Sequence, residues 1–417
     1  MKALENNNLT RNIILAMALG IATGLILSHS PFQWPKTYLI DGFFTVGGQI
    51  FIRSLKMLVV PLVFVSLIEG VTSLSDLSQL GRVGGKTLSF YLVTTALAIS
   101  LALMLALAIS PGEGIQLTSD TKFVAKEAPS FGQILINMIP ANPLDSMSKA
   151  NMLQVIVFAI LIGLGINIQG ENAASVLKLV KQSSNVVMTV LSVLMLIAPF
   201  GVFCLVAKIF ANLGIDAIIP LAKYFLVVAG ALVLHVLLVY SSLLKLLTGL
   251  SPMTFFRKFR EVWLYAFSTA SSNATLPITL RTVEEKLGVH NKIASFSVPL
   301  GATINMDGTS IMQGVATVFI AQAYQISMTA NDFLMVIVTA TLASIGTAGV
   351  PGVGLITLAM VLNQVGLPVE GIGLIIGIDR LLDMMRTAVN VTGDATVSVV
   401  VGKSEGALDL ETFNSKA

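Results

Sequence analysis

Six apolar stretches constrain this chain more than any other feature of it. Residues 12–29, 43–72, 87–110, 131–169, 184–211 and 218–247 approach or exceed the roughly 20 residues a helix needs to cross a bilayer core. In hydrocarbon every backbone N–H and C=O must be satisfied within the segment, so runs of this kind are read as helices. Composition agrees: 55% of the 417 residues are hydrophobic and only 11% are charged. The mean hydropathy of +0.86 lies outside the range of soluble domains. The net charge of +3 is too small and too dispersed to indicate nucleic acid. Cys204 is the single cysteine, which excludes an intrachain disulfide. The first run follows Lys2 and Arg11 as a signal peptide would, but no small-residue cleavage site ends it, and it is read as a retained first helix. An all-α polytopic membrane protein is expected.

Basic residues give the orientation. Lys2 and Arg11 precede helix one, Arg82 and Lys86 follow helix two, and Lys178 and Lys181 follow helix four. Lys245, Arg257, Lys258 and Arg260 follow helix six. Every second connection is basic, which places the N-terminus and the 245–260 loop in the cytoplasm. Lys122 and Lys126, on the opposite side, are balanced by Glu113, Asp120 and Glu127. Pro140, Asn142 and Pro143 imply that 131–169 is broken rather than straight.

Residues 261–280, EVWLYAFSTASSNATLPITL, interrupt the alternation, because basic clusters flank both ends. Their polar centre closes on Pro277, which suits a loop tip, so a re-entrant hairpin entering from the cytoplasm is expected. Residues 333–362 carry a Gly/Pro-rich break between arms of about 8–11 residues, or roughly 12–16 Å of helix each. No Lys or Arg occurs between Lys292 and Arg380, so this second hairpin is expected to enter from outside. Two opposed hairpins, each followed by a long helix with a polar centre, form the pattern of an inverted repeat, whose halves meet at the bilayer midplane.

The polar residues of these segments are costly unless they serve a pathway. In IDRLLDMMRTAVNVTGD, residues 378–394, a helical advance of 100° per residue puts Asp379, Asp383, Arg386, Thr387, Asn390 and Asp394 within an arc of roughly 100°. That makes a row about 22 Å long, with apolar residues on the other faces. In PLGATINMDGTSIMQG, residues 299–314, Asn305, Asp307, Gly308 and Thr309 sit centrally in an apolar run. Gly308 weakens the helix there, and unwinding would free carbonyls that suit an alkali cation together with the amide and carboxylate oxygens. The first hairpin tip, SSNAT, offers hydroxyls and helix N-terminal N–H groups for a carboxylate. Arg386 offers a guanidinium fork for a second carboxylate, and Asp383 can hold an ammonium. A ligand touching all three is an amino acid with an acidic side chain.

SSNATLP, GATINMDGTS, ASIGTAGVPG and LLDMMRTAVNVTGD resemble the dicarboxylate/amino acid:cation symporter family, which includes the excitatory amino acid transporters. The likeness covers nearly the whole chain and is strongest from residue 252 onward. It implies eight transmembrane helices with two opposed re-entrant hairpins, a homotrimer and an elevator mechanism; the compact loops and lack of targeting extensions lead us to expect a prokaryotic cell (inner) membrane, with both termini cytoplasmic. The implied division has 1–72 (helices one and two) and 131–215 (helices four and five, trimerisation) as scaffold. Residues 73–130 (helix three), 216–251 (helix six), 252–290 (hairpin one), 291–329 (broken helix seven), 330–368 (hairpin two) and 369–405 (helix eight) move, and 406–417 is a tail.

The resemblance also implies roles. Substrate would meet Arg386 with its side-chain carboxylate, Asp383 with its amino group, and Thr387 and Asn390 with its polar atoms. Ser271, Ser272, Asn273, Thr309, Gly349, Val350 and Gly354 would complete the pocket. Sodium, as a co-transported ligand and not a cofactor, would be held at three places. One comprises Gly301, Asn305, Asn390 and Asp394; a second Thr303, Ser344, Ile345 and Thr347; a third Tyr91, Thr94, Thr95, Asn305 and Asp307. Proton-coupled members tend to carry asparagine at the position of Asp394, so the set favours sodium. Family arginines beside the hairpin serines or after the row's aspartate correspond here to Ala270 and Met384, and Arg380 is a candidate stand-in. Aspartate, glutamate and a C4-dicarboxylate all remain open, as does proton coupling. Among rival classes, an ion channel is distinguished by non-concentrative flux. An intramembrane protease lacks its GxGD signature, and the histidines His29, His235 and His290 are read as outside the polar cluster, so no enzyme is expected.

Overall fold

The computed structural model describes residues 7–29, 32, 34–72, 77–115, 136, 139–149, 151–213, 218–345, 347 and 349–415. Lys2, Asp120, Lys122, Lys126, Glu127 and the start of the 131–169 run lie outside the described residues. The described residues are almost wholly helical, with one isolated β-bridge, Val289 to Leu408.

Helix α1 is Asn7–Ser28. A π-helical stretch, Pro35–Phe44, leads into α2, Thr45–Thr72. Helix α3 is Leu77–Ile109, ten residues longer at its start than the apolar run, so Arg82 and Lys86 lie on the helix rather than in a connection. The break expected in 131–169 is present: Asn142 caps α4, Pro143–Ser148, with Pro143 in its first turn, and α5 is Met152–Gln169. The run 184–211 is not one helix. It divides into α6, Ala174–Leu196, and α7, Ala198–Leu213, because Pro199 supplies no N–H and its ring excludes the preceding helical turn. Lys178 and Lys181, expected in a loop, are therefore in the first turns of α6.

Helix α8, Ile218–Leu234, continues through the π-helical segment His235–Tyr240 into α9, Ser241–Thr248. The first hairpin pairs α10, Pro252–Thr269, with α11, Ser272–Arg281. Its reversal is made by Ala270, left-handed at φ 49°, and by Ser271, whose hydroxyl caps α11. Pro277 is not at the tip: it lies inside α11, where its missing N–H leaves the Asn273 carbonyl without its helical donor. Helix α12, Asn291–Ile304, and α13, Asp307–Ala323, are parted at Asn305 and Met306. The break thus falls before Gly308, which sits in the first turn of α13. A Cβ there would lie 2.5 Å from the Arg386 carbonyl oxygen, so close backbone approach is what requires the glycine.

The second hairpin pairs α14, Ala330–Ser344, started by a Thr329–Asp332 capping box, with α15, Val353–Gln364. Helix α16, Ile372–Ser404, spans about 50 Å. A last helix, α17, is Leu410–Asn414. Four described stretches are long and apolar enough to cross a membrane: Arg11–Ser28, Arg82–Ile109, Gln154–Leu194 and Ile218–Thr248.

Two groups of helices pack among themselves. Helix α1 lies along α7, and α2 packs on α5, α6 and α7. Helices α3, α8, α10, α12 and α13 gather around α16. The groups meet where α16 touches α1 and α7 and where α15 touches α2. The hairpins approach α16 from its opposite ends. The base of the second joins the start of α16 through residues 365–371. The base of the first is pinned at the far end: buried Lys258 donates to the carbonyls of Lys286 and Thr412, and Asp409 N–H donates to Gly288 O. The 406–415 tail is therefore packed against hairpin one.

Candidate functional site

The hairpin tips meet beside the middle of α16. Ser271 donates its hydroxyl to Gly349 O at 2.7 Å, and Asn273 N–H donates to the same carbonyl at 3.1 Å. Gly352 N–H, at the start of α15, donates to Asp383 Oδ2 at 3.1 Å. Gly354 faces the guanidinium of Arg386, where an added Cβ would come within 3.1 Å of Nη2. Ser271, Ser272, Thr309, Gly349 and Gly354 are buried, Val350 is half-buried and Asn273 is exposed. The structure brings both tips and the row on α16 to one place.

All six members of that row are buried, as the helical spacing requires if one face turns inward. Arg386, 1% exposed, donates from Nη1 to Asp379 at 2.8 Å and from Nη2 to Asp383 at 2.8 Å. A further Nη2 contact reaches Asp379 at 3.4 Å. Arg380 lies 3.6 Å from Asp383 on the side facing Ile13, Phe51, Ala198 and Val202 of the other helix group. Two guanidinium groups thus balance two carboxylates. Asp379, which the resemblance gave no role, is the principal partner of Arg386. Its signal was its place in the row. Thr387 turns its hydroxyl back to Asp383 O at 2.8 Å. Buried ion pairs contribute little net stability, because desolvation offsets attraction, so folding alone gives little reason for these charges.

One helical turn further, Asn390 and Asp394 join the broken helix. Asn390 Oδ1 accepts from Gly308 N–H at 2.8 Å. Asn305 Nδ2 donates to Asn390 O at 3.0 Å and to Asp394 Oδ1 at 2.9 Å. Asn305 Oδ1 is buried and unpartnered among the described residues. Gly301 lies against Asp394 Oδ1 and the Tyr91 hydroxyl so closely that no Cβ could stand there. Tyr91 donates to Ser297 O at 2.8 Å, Thr94 donates to Tyr91 O at 3.1 Å, and the Thr95 hydroxyl oxygen lies 2.8 Å from the same carbonyl.

Asp307 is fully buried; its Oδ1 accepts from Thr95 at 2.6 Å, and its Oδ2 accepts from Tyr240 at 2.7 Å and lies 3.1 Å from His235 Nε2. His235 is thus within the polar cluster, contrary to the expectation that it lies outside. The π-helical turn places both His235 and Tyr240 inward, and a 3.6-residue pattern carries no sign of that turn. Thr303, Ser344 and Thr347 each donate to a carbonyl of their own segment. The tip they would share with Ile345 reaches α12 where Gly349 abuts Ala302 O.

Apolar helices, opposed hairpins joined at their tips and a buried row of ions at the junction define a membrane transporter. Residues 9–404 match the sodium:dicarboxylate symporter family. The chain is 34% identical over 408 residues to a proton/sodium-glutamate symport protein of Bacillus caldotenax, covering 96% of this chain and 95% of that one. It is 35% identical over 414 residues to a proton/glutamate-aspartate symporter of Escherichia coli, covering 96% and 94%. A C4-dicarboxylate transport protein of Bacillus subtilis is 30% identical over 410 residues, covering 96% and 94%. The chain belongs to the sodium:dicarboxylate symporter family, and it is a transporter, not an enzyme.

Proposed function

We propose that this protein is a secondary active symporter for an acidic amino acid, aspartate or glutamate, coupled to sodium ions. The observation that carries the reading is Arg386 buried against the tip of hairpin two, to which the tip of hairpin one is bonded, with Asp379 and Asp383 as its partners. A substrate carboxylate takes the Nη2 fork from Asp383, whose freed oxygens then receive the substrate ammonium. Asp379 holds the guanidinium in place throughout. The named activities of the Bacillus caldotenax and Escherichia coli relatives support this choice of substrate.

Sodium is supported by hard oxygen donors with one already vacant: the unpartnered Asn305 Oδ1 beside Asp394, Asn390 and the glycine backbone at 301. Thr95 and Asp307, and the Thr303–Ser344–Ile345–Thr347 group, are the other sodium positions. The relatives' names mention protons as well, so proton coupling is the second reading of the driving ion.

In this reading α1, α2 and α4–α7 form a fixed, homotrimeric scaffold in the cell membrane. Helices α3 and α8–α16, with both re-entrant hairpins, slide as an elevator. The two packed groups support that division, with α16 against α1 and α7 and α15 against α2 as the surface between them. The test is uptake into proteoliposomes under imposed sodium, proton and voltage gradients, screened with aspartate, glutamate and succinate. Concentrative, sodium-dependent aspartate or glutamate uptake is the expected result. Uptake undiminished without sodium under a proton gradient overturns sodium coupling. Preference for succinate moves the chain to the dicarboxylate branch, where the Bacillus subtilis relative lies.

A further inference from the structure

A cavity of about 590 Å³ opens on the outside of the bundle where α8, its π-helical extension, α10 and α16 meet. That volume falls within the roughly 300–1,000 Å³ of small-ligand sites. Its α10 wall is Phe256, Arg260, Trp263, Leu264 and Phe267, spaced three or four apart and so on one helical face. The α16 wall is Met385, Ala388, Val389 and Thr392, which turn away from the buried ionic row.

The chemistry of the walls is sharply divided. Thr392 accepts the Trp263 indole N–H at 2.7 Å, so these two polar groups satisfy each other and the interior presents carbon. The one charged side chain is Arg260, exposed and nearer the base of hairpin one than Trp263 or Phe267. Arg260 has no hydrogen bond or ion pair to a described residue. Glu261, its neighbour in sequence, is turned to Lys286 at 2.6 Å and meets Arg260 only through the longer-range attraction of their charges. Arg257 lies exposed one turn earlier on the same basic side of the molecule. A cation at the mouth and an apolar trough behind it complement an amphiphile with a negative head.

We propose that this groove binds one phospholipid with an anionic headgroup, its phosphate on Arg260 and an acyl chain lying against Trp263 and the back of α16. The occupant bridges the outer arm of hairpin one and the helix that carries the ionic row. The proposal needs only that the chain be embedded in a bilayer and is independent of which solute or ion is carried.

The test is native mass spectrometry of the full-length protein with phosphatidylglycerol and phosphatidylcholine of matched chains, with melting temperature as a check on folding. Wild type is expected to retain phosphatidylglycerol in preference. Arg260→Gln is expected to lower that preference about fivefold, the worth of one basic contact near a membrane surface. Val233→Trp, at a groove-lining position that is 53% exposed, is expected to expel both lipids without unfolding the protein. Equal retention of the two lipids by wild type, or retention unaltered in both variants, overturns the proposal. So does disulfide cross-linking of Leu264→Cys between two copies, which would mean that a second chain covers the groove.

Discussion

Replacing Arg386 by alanine tests the centre of the argument. The guanidinium makes three contacts, at 2.8, 2.8 and 3.4 Å, and is 1% exposed. Its removal leaves Asp379 and Asp383 buried with only Arg380, 3.6 Å from Asp383, to offset them. Deleting one partner of a buried ionic group costs about 3–5 kcal/mol. The substrate-free protein should therefore melt several degrees lower. Substrate loses two hydrogen bonds to a charged group, each worth about 1.5–3 kcal/mol. The combined loss of about 3–6 kcal/mol weakens binding by roughly a hundredfold to ten-thousandfold. Arg386→Lys keeps the charge but not the fork, and should fold better than the alanine variant while recovering little of the affinity. Calorimetric titration of purified protein with aspartate in sodium buffer measures these losses directly. A folded Arg386→Ala protein that binds aspartate within threefold of wild type would falsify the assignment of Arg386 as the carboxylate fork.

Asp383→Asn removes the charge proposed to meet the substrate ammonium. Aspartate should lose roughly tenfold or more of its affinity while succinate changes much less, and a parallel loss for both would refute that role. Asp394→Asn should raise the sodium concentration giving half-maximal aspartate binding about tenfold, since the carboxylate no longer offsets the cation's charge; an unchanged sodium titration would remove Asp394 from the cation site. At the far end of α16, hydrogen bonds from Lys86 and Arg82 hold the Glu405 carboxyl below its ordinary value. That contribution is complete above the ordinary carboxylate value of about 4.3 and is lost as pH falls through the lowered one. Protection factors at 405–415, with the intrinsic pH dependence of amide exchange divided out, should be flat from about pH 5 to 8 and fall below about pH 4, whereas a fall centred near neutrality would assign the fastening to another group.

The long apolar runs, the hairpin breaks and the buried face of α16 are legible in the sequence because each is a property of one segment. The row from Asp379 to Asp394 shares a face by helical geometry alone, and a face of charges within an apolar helix has no tolerable place but an interior. Local rules misled where two segments compete for one position. Gly308 reads as a helix breaker, yet it serves the approach of α13 to the Arg386 backbone, while Asn305 and Met306 take the break. Pro277 reads as a tip, yet Ala270 and Ser271 make the reversal because Gly349 meets them there.

Sequence by itself determined that this chain is a bundle of apolar helices, that it breaks at defined places, and that ionic residues line one side of its last long helix. Only the tertiary structure decided which ions pair. Arg386 meets Asp379 and Asp383, and Asp307 gathers Thr95, Tyr240 and His235 from segments 67 to 212 residues away. The physical reason is that helical periodicity fixes the direction of a side chain about its own axis. Charge pairing falls off over a few ångströms between axes, and that distance is set by how the helices pack.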